Sequence, residues 1–346
     1  MKPIPTLLAL ALSGAPALAL PAQIQVSPRL EAAGKEGGAG AATFWASPSD
    51  STKNLLIGAD RRTGLQAWDL TGTAVAGFDD GGLTDVDQRP FPAAGEGTTL
   101  LASAEKMAGV LLFYLVDPQG QIAHATPYVF PALPDDLQMQ LSGLRDLALS
   151  RDASGQLSAW VGFDSGDLVQ WRVGLDDKGK ISLQFLRQIQ LPAPALALVA
   201  DDRDGALFAT LTGGGTWRYP LSPEAGNAGT EVDAPGSACT PESSGEEAAD
   251  GLALYDGSAR YLAAARGQGQ VALYALEDGT PRCTALVQVA GPLGRIRGLG
   301  ATALPFGPDM AQGALALATD NGDGDGSTSD FKVISWADIA AQLPED

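Results

Sequence analysis

Histidine is almost missing from this chain: among 346 residues there is one, His124. That excludes a zinc centre built on several imidazoles and any phosphatase chemistry that needs two histidines. A Ser-His-acid triad would have to use His124, and a lone histidine is ordinarily incidental. Cysteine is nearly as scarce, with Cys239 and Cys283 alone. In an exported chain these two make one disulfide in preference to two free thiols. Basic charge is short as well: 22 Lys and Arg stand against 41 Asp and Glu, a net charge of −19. Nucleic acid is therefore not an expected partner, because phosphate backbones need a basic footprint. No apolar run is long enough to span a bilayer. Long amphipathic helical patterns are missing too, the exception being a short one from Trp336 to Leu343 at the C-terminal end.

What is present is turn residues and apolar residues. There are 43 Gly and 23 Pro, and hydrophobic residues make up 45% of the chain, enough for a full core in a turn-rich fold. Lys2, the apolar run Leu7 to Leu12 and the small residues Ala17 and Ala19 read as a signal peptide over residues 1–19. The expected mature protein, residues 20–346, is a monomeric single domain, periplasmic or secreted. Within it a short strand with an aromatic residue recurs, marked by Trp68, Tyr114, Trp171, Tyr219, Tyr274 and, most weakly, Trp336. The markers lie about 54 residues apart on average, room for four strands and their turns, which is one propeller blade. The expectation is an all-β, six-bladed β-propeller of four-stranded antiparallel blades with a short C-terminal helix; a seven-bladed ring with one eroded copy is the alternative. Hairpin turns are expected at Pro118–Gly120, Asp176–Gly179 and Asp201–Gly205, and a long loop carrying Cys239 from Pro223 to Glu247.

Three stretches carry a family resemblance. Lys53 to Leu70, with its Arg61-Arg62 pair before Gly64-Leu65, resembles the first-blade strand of the β-propeller phytases. Leu83-Thr84-Asp85-Val86-Asp87-Gln88-Arg89 resembles that family's Leu-Asn-Asn-Val-Asp-x-Arg segment. Ser329 to Ala340, containing Phe331, Lys332, Trp336 and Ile339, resembles its closing strand and terminal helix. The resemblance implies a six-bladed propeller that removes phosphate from myo-inositol hexakisphosphate, phytate, with the help of calcium. Bridging cations would activate a water and neutralise phosphate oxygens, so no nucleophilic side chain is needed.

Carried over residue by residue, the resemblance implies Asp85, Asp87 and Asp250 as catalytic and calcium-binding groups, with Asp320 and Asn321 as further calcium ligands. It implies Arg61, Arg62 and Arg89 as holders of the substrate phosphates. Other ligand positions are changed: Gly40-Ala41 replaces an Asp pair, Leu196 a Glu, Leu211-Thr212 a Glu pair and Ala248 an Asp, while Arg266 and Arg297 stand where acidic ligands are expected. Losing these carboxylates weakens calcium binding, and the added arginines favour phosphate. Plainer readings stand beside these. Asp85 and Asp87 would serve as strand-edge residues, Arg61 and Arg62 as a solvated turn, Arg89 as a structural partner of Asp87, and the glycine-spaced acidic run Asp320 to Gly326 as a plain turn. The expectation is a calcium-assisted phytase with a pared-down site. The alternatives are an inactive propeller that binds inositol phosphates through its arginines, or an envelope scaffold for a protein partner.

Overall fold

The computed structural model describes residues 20–344 apart from 35–37, 130–132, 135–136, 138–142, 241–249, 267–268, 278, 292, 294 and 320–329. The expected signal peptide, residues 1–19, lies outside the described residues, as do Asp320 and Asn321.

Six sheets follow one another along the chain as the blades of a propeller. Blade I is β3 (Ala39–Trp45), β4 (Leu55–Asp60), β5 (Gly64–Trp68) and β6 (Ala74–Phe78). Blade II is β7 (Leu83–Pro90), β8 (Thr99–Glu105), β9 (Val110–Val116) and β10 (Ile122–Val129). Blade III is β11 (Leu144–Arg151), β12 (Leu157–Phe163), β13 (Asp167–Leu175) and β14 (Ile181–Gln190). Blade IV is β15 (Ala195–Asp201), β16 (Ala206–Leu211), β17 (Thr216–Pro220) and β18 (Thr230–Asp233). Blade V is β19 (Leu252–Asp256), β20 (Arg260–Arg266), β21 (Gln270–Glu277) and β22 (Thr280–Val289). Blade VI takes β23 (Ile296–Thr302), β24 (Ala314–Thr319) and β25 (Asp330–Ser335) from the end of the chain and its outermost strand, β2 (Leu30–Ala33), from the beginning. The antiparallel pairing of β2 with β25, Leu30 opposite Val333 and Ala33 opposite Asp330, closes the ring. Upstream of it β1 (Ala22–Val26) adds a parallel fifth strand to blade V against β22.

Burial explains why these residues make these strands. The second and third strands of a blade are covered on both faces by neighbouring blades, so they read as continuous apolar runs such as Val110-Leu-Leu-Phe-Tyr-Leu-Val in β9 and Leu157-Ser-Ala-Trp-Val-Gly-Phe in β12. An outer strand such as β18, Thr230-Glu-Val-Asp, has no buried residue and is correspondingly less apolar. The hairpins β9–β10, β11–β12 and β13–β14 share one device. Asp117, Asp152 and Asp176 each accept backbone N–H bonds from residues two and four further on, and Gly120, Gly155 and Gly179 supply the positive φ of the turn.

Five of the six aromatic markers fall on the third strand of their blades, where they are buried. The sixth does not. Trp336 opens the helix α1 (Trp336–Ala340) and stacks on Tyr255 of blade V with ring centroids 3.6 Å apart. The reason is the ring closure: β2 already supplies the outer strand of blade VI, so the chain is free to leave the sheet after β25. Arg29 then clamps this end to the beginning, donating from Nε and Nη2 to the two carboxylate oxygens of Asp338 at 2.8 Å each. The expected long loop after Pro223 is likewise interrupted, since Thr230–Asp233 forms β18.

Cys239 and Cys283 form a disulfide that ties the segment after β18 to β22, with Cα atoms 5.9 Å apart. The bridge closes a loop with a sequence separation of 44, for which chain entropy gives about 2–4 kcal/mol. The double variant Cys239→Ser/Cys283→Ser is expected to lose about that much unfolding free energy in urea titrations, with no change in the strand signal of the native protein. A loss under about 0.5 kcal/mol would show that the bridge constrains little of the unfolded chain.

Candidate functional site

The first strand of each blade, β3, β7, β11, β15, β19 or β23, faces the central channel. All six run the same way along it, so equivalent positions form rings. At one mouth the ring is Gly40, Thr84, Arg145, Leu196, Asp250 and Arg297. In five of these strands the register with the second strand slips at this level, at Ala39/Ala41, Leu83/Val86, Leu144/Asp146, Ala195/Ala197 and Ile296/Gly298. Such bulges twist a strand and re-aim its side chains. Arg61 joins the mouth from the β4–β5 turn, Lys106 from the β8–β9 turn and Arg295 from the connection into β23, and together they enclose about 230 Å³.

Charges at this mouth are arranged in two groups. On the side of blades V and VI, Arg295 grips Asp250 with two bonds, Nε to Oδ2 and Nη2 to Oδ1, both 2.7 Å, and Arg297 Nη1 lies 3.5 Å from Oδ2. On the side of blades II and III, Arg145 Nε donates to Asp164 Oδ1 at 2.5 Å while Lys106 Nζ is 3.7 Å from Oδ2 of the same carboxylate. Five basic side chains from four blades therefore share a cavity with Asp250 and Asp146, and Asp164 sits at its edge.

One layer inward the channel narrows to a neck of about 20 Å³ lined by Ala41, Asp85, Asp146, Ala197, Gly251 and Gly298. Blades V, VI and I approach here so closely that a Cβ on Gly298 would lie 2.3 Å from the Gly40 carbonyl oxygen and one on Gly251 2.8 Å from the Leu299 nitrogen. That half of the neck is backbone, and the other half is the pair Asp85 and Asp146, which hydrogen-bond each other. Both carboxyls also accept backbone N–H groups of the next blade: Asp85 Oδ2 from Leu147 at 3.3 Å and Asp146 Oδ2 from Leu198.

Beyond the neck a larger cavity of about 260 Å³ passes Val86, Leu147, Leu198, Leu252 and Leu299 and ends among Asp87, Arg89, Asp202 and Asp256. Arg89 ties blade II to blade IV there. Its Nε donates to Asp202 Oδ2 at 2.7 Å, Nη1 to Asp87 Oδ1 at 3.0 Å and Nη2 to the Ala200 carbonyl at 3.2 Å. Burial works against its charge, but Asp87 and Asp202 outweigh burial and hold the guanidinium above its ordinary range.

A sequence profile described as Phytase matches residues 6–346. The chain belongs to the phytase family. A curated relative, the 3-phytase of Bacillus subtilis (strain 168), is 25% identical over 318 residues, covering 87% of this chain and 80% of that protein. Solved structures similar to this phytase-family propeller include the WD40 repeats of RRP9, with a TM-score of 0.51, 12% identity and coverage of 90% of this chain and 99% of that one. Another is BBS1N in complex with ARL6DN, with a TM-score of 0.50, 13% identity and coverage of 93% and 86%. At such identities these structures speak for the propeller fold alone.

The residues picked out by resemblance to the phytases are thus spread along the channel. Arg61, Asp250 and Arg297 meet at the mouth, and Asp85 lies one layer below them. Asp87 and Arg89 sit beyond the neck, where Arg89 is the structural partner of Asp87. Arg62 is exposed in the turn beside Arg61 and does not line the mouth cavity. Arg266 is displaced furthest: its buried guanidinium donates to the Cys239 carbonyl, Thr240 Oγ1 and the Tyr274 hydroxyl, away from the channel. Of the positions where family ligands are replaced, Gly40, Leu196 and Arg297 belong to the mouth ring. Arg145, Asp146, Lys106 and Arg295 escaped the sequence reading. The signal for two of them was available, since Leu144-Arg145-Asp146 repeats the phase of Leu83-Thr84-Asp85 one blade later.

A calcium cluster does not fit what these residues offer. Calcium takes six to eight oxygen ligands. Among the described residues no three His, Cys, Asp or Glu side chains gather where they would hold one ion. Asp250 is gripped by Arg295, Asp87 by Arg89, and Asp85 and Asp146 bond each other and the neighbouring backbone.

Burial first, and the charge of Asp87 second, push the Asp85 carboxyl up to about 7; burial and then Asp85 push Asp146 up as well. The pair therefore holds a proton that the unfolded chain releases near pH ~4. Its contribution to stability is fully present below that pH and is lost as pH climbs through the raised pKa. In buffer containing a chelator, the melting temperature is expected to fall between about pH 4 and 7, and Asp146→Asn to flatten that fall. An unchanged slope in the variant would remove the pair as its source.

Proposed function

We propose that this phytase-family chain takes up phosphate monoesters of myo-inositol, phytate or its less phosphorylated forms, at the Arg61–Arg145–Arg297 mouth. One observation carries the reading: five basic side chains converge on a single cavity in a chain whose net charge is −19. Several phosphoryl groups on one ring match several guanidinium forks, and such bidentate, charge-assisted bonds are the strong ones. Asp87 and Arg89 then stabilise the ring instead of touching the ester, and the ligand is held without a cation cluster. Hydrolysis of the bound ester is the reaction to be tested, supported by the family and by the relationship to a 3-phytase. Capture without turnover is the second reading, favoured by the arginines and apolar residues at the ring positions where the family resemblance implied carboxylates. In either case residues 1–19 serve as an export signal, and the Cys239–Cys283 bridge suits an oxidising compartment.

Calorimetry with phytate in the presence of EDTA tests the binding step, and phosphate release with added Ca²⁺ tests turnover. Binding is expected in EDTA, and Arg145→Ala/Arg297→Ala is expected to weaken it by about 100-fold or more, since each charge-assisted contact contributes roughly 1.5–3 kcal/mol. Undiminished binding in the double variant would move the ligand away from this mouth. Phosphate release that needs calcium would decide for hydrolysis over capture.

A further inference from the structure

We infer that Asp250 is a built-in counter-ion of Arg295 and Arg297 that any entering phosphoryl group has to displace, so that tight binding at the mouth needs an anion with more than one phosphoryl contact. The inference deepens the reading of the mouth as a phosphate-ester site and rests on it. Three observations support it. Asp250 is largely buried, with 17% of its side chain exposed, and spends both oxygens on Arg295 while Arg297 lies 3.5 Å away. Its backbone is held from below, because the adjacent Gly251 packs directly on Gly298. Across the cavity, Arg145 and Lys106 form a second basic group around Asp164.

An anion entering the mouth competes with Asp250 for the Arg295 fork. Inorganic phosphate replaces one bidentate partner with another and gains little. A ring bearing several phosphoryl groups can take the Arg295–Arg297 side and at the same time reach Arg145 and Lys106, where it competes with Asp164, but this second contact is intramolecular and adds to the first. The carboxylate thus sets back every phosphoryl anion by the same amount, so a single phosphate is held weakly and only an anion with a second contact binds tightly. This role is opposite to that of a calcium ligand, whose removal would weaken phosphate binding.

The experiment is calorimetry on the full chain in EDTA, with phytate and inorganic phosphate as probes, for wild type and Asp250→Asn. Wild type is expected to bind phytate at least about 100-fold more tightly than inorganic phosphate. D250N is expected to bind inorganic phosphate about tenfold more tightly than wild type does and to strengthen phytate binding as well. Weaker or unchanged phosphate binding in D250N overturns the inference, as does Ca²⁺ binding by wild type that D250N abolishes. Should D250N fail to fold, D250N/R295Q removes the pair together. Inorganic phosphate binding no weaker than wild type, despite one arginine fewer, supports the counter-ion role, and weaker binding overturns it. The two readings fail separately. If wild type binds neither probe and D250N binds inorganic phosphate, the counter-ion stands and the inositol phosphate reading falls; if no protein binds either probe, both fall.

Discussion

The inner strand of a propeller blade has a sheet partner on one side only. Its other edge turns toward the channel and the next blade, and the N–H groups along that edge must find acceptors. In this chain side-chain carboxylates meet the need on consecutive blades. Asp85 and Asp87 of β7 accept from Leu147 and Leu149 of β11, Asp146 of β11 accepts from Leu198 of β15, and Asp202 after β15 accepts from Arg151 at the end of β11. Inner strands of blades II, III and IV are laced together by charge-accepting side chains in place of a backbone ladder. Blades V, VI and I solve the same packing problem without side chains, through glycines that let one backbone lie on the next.

That division of labour governs what the channel can do. A carboxylate that caps a neighbouring strand has an oxygen committed to the fold, and two carboxyls that bond each other share a proton instead of a cation. The acidic residues of the neck and far end are therefore occupied with holding the ring together. At the mouth this duty is lighter, since five of its six ring positions lie at the bulges, where the ladder is already broken. There the side chains are free to differ from blade to blade, and four blades supply basic groups.

The sequence disclosed the blade repeat because burial forces it: the third strand of a blade is enclosed on both faces, and a large aromatic fills the space, so Trp68, Tyr114, Trp171, Tyr219 and Tyr274 recur at blade spacing. It disclosed the end of the ring less well. Trp336 keeps the aromatic but not the strand, since four residues near the N-terminus, Leu30–Ala33, complete blade VI and are too short and plain to announce themselves. Candidate site residues were legible where a motif carried them, as at Arg61, Asp85 and Asp250. They were hidden where only channel phase connects them, as at Arg145, Asp146 and Arg295, because a position that faces the channel is set by the bulge and not by alternation alone. Arg266 illustrates the converse: an arginine near the end of an inner-blade strand reads as a candidate for the rim, yet its burial beside Tyr274 and the disulfide gives it a structural task.

Net charge and local charge point in opposite directions here, and distance decides which one a ligand feels. At physiological ionic strength fields are screened over about 8 Å, so the acidic body exerts little force on an anion outside the mouth, and the basic groups exert little until it has arrived. Long-range steering is thus weak, and recognition has to come from contact. Asp164 and Asp250 reduce it further by neutralising part of the basic charge on each side of the cavity. A single phosphate meets one partly neutralised group, whereas a ligand spanning the cavity meets both together. The width of the mouth, set by six strands that must pack around one axis, therefore matters as much to selectivity as the arginines themselves.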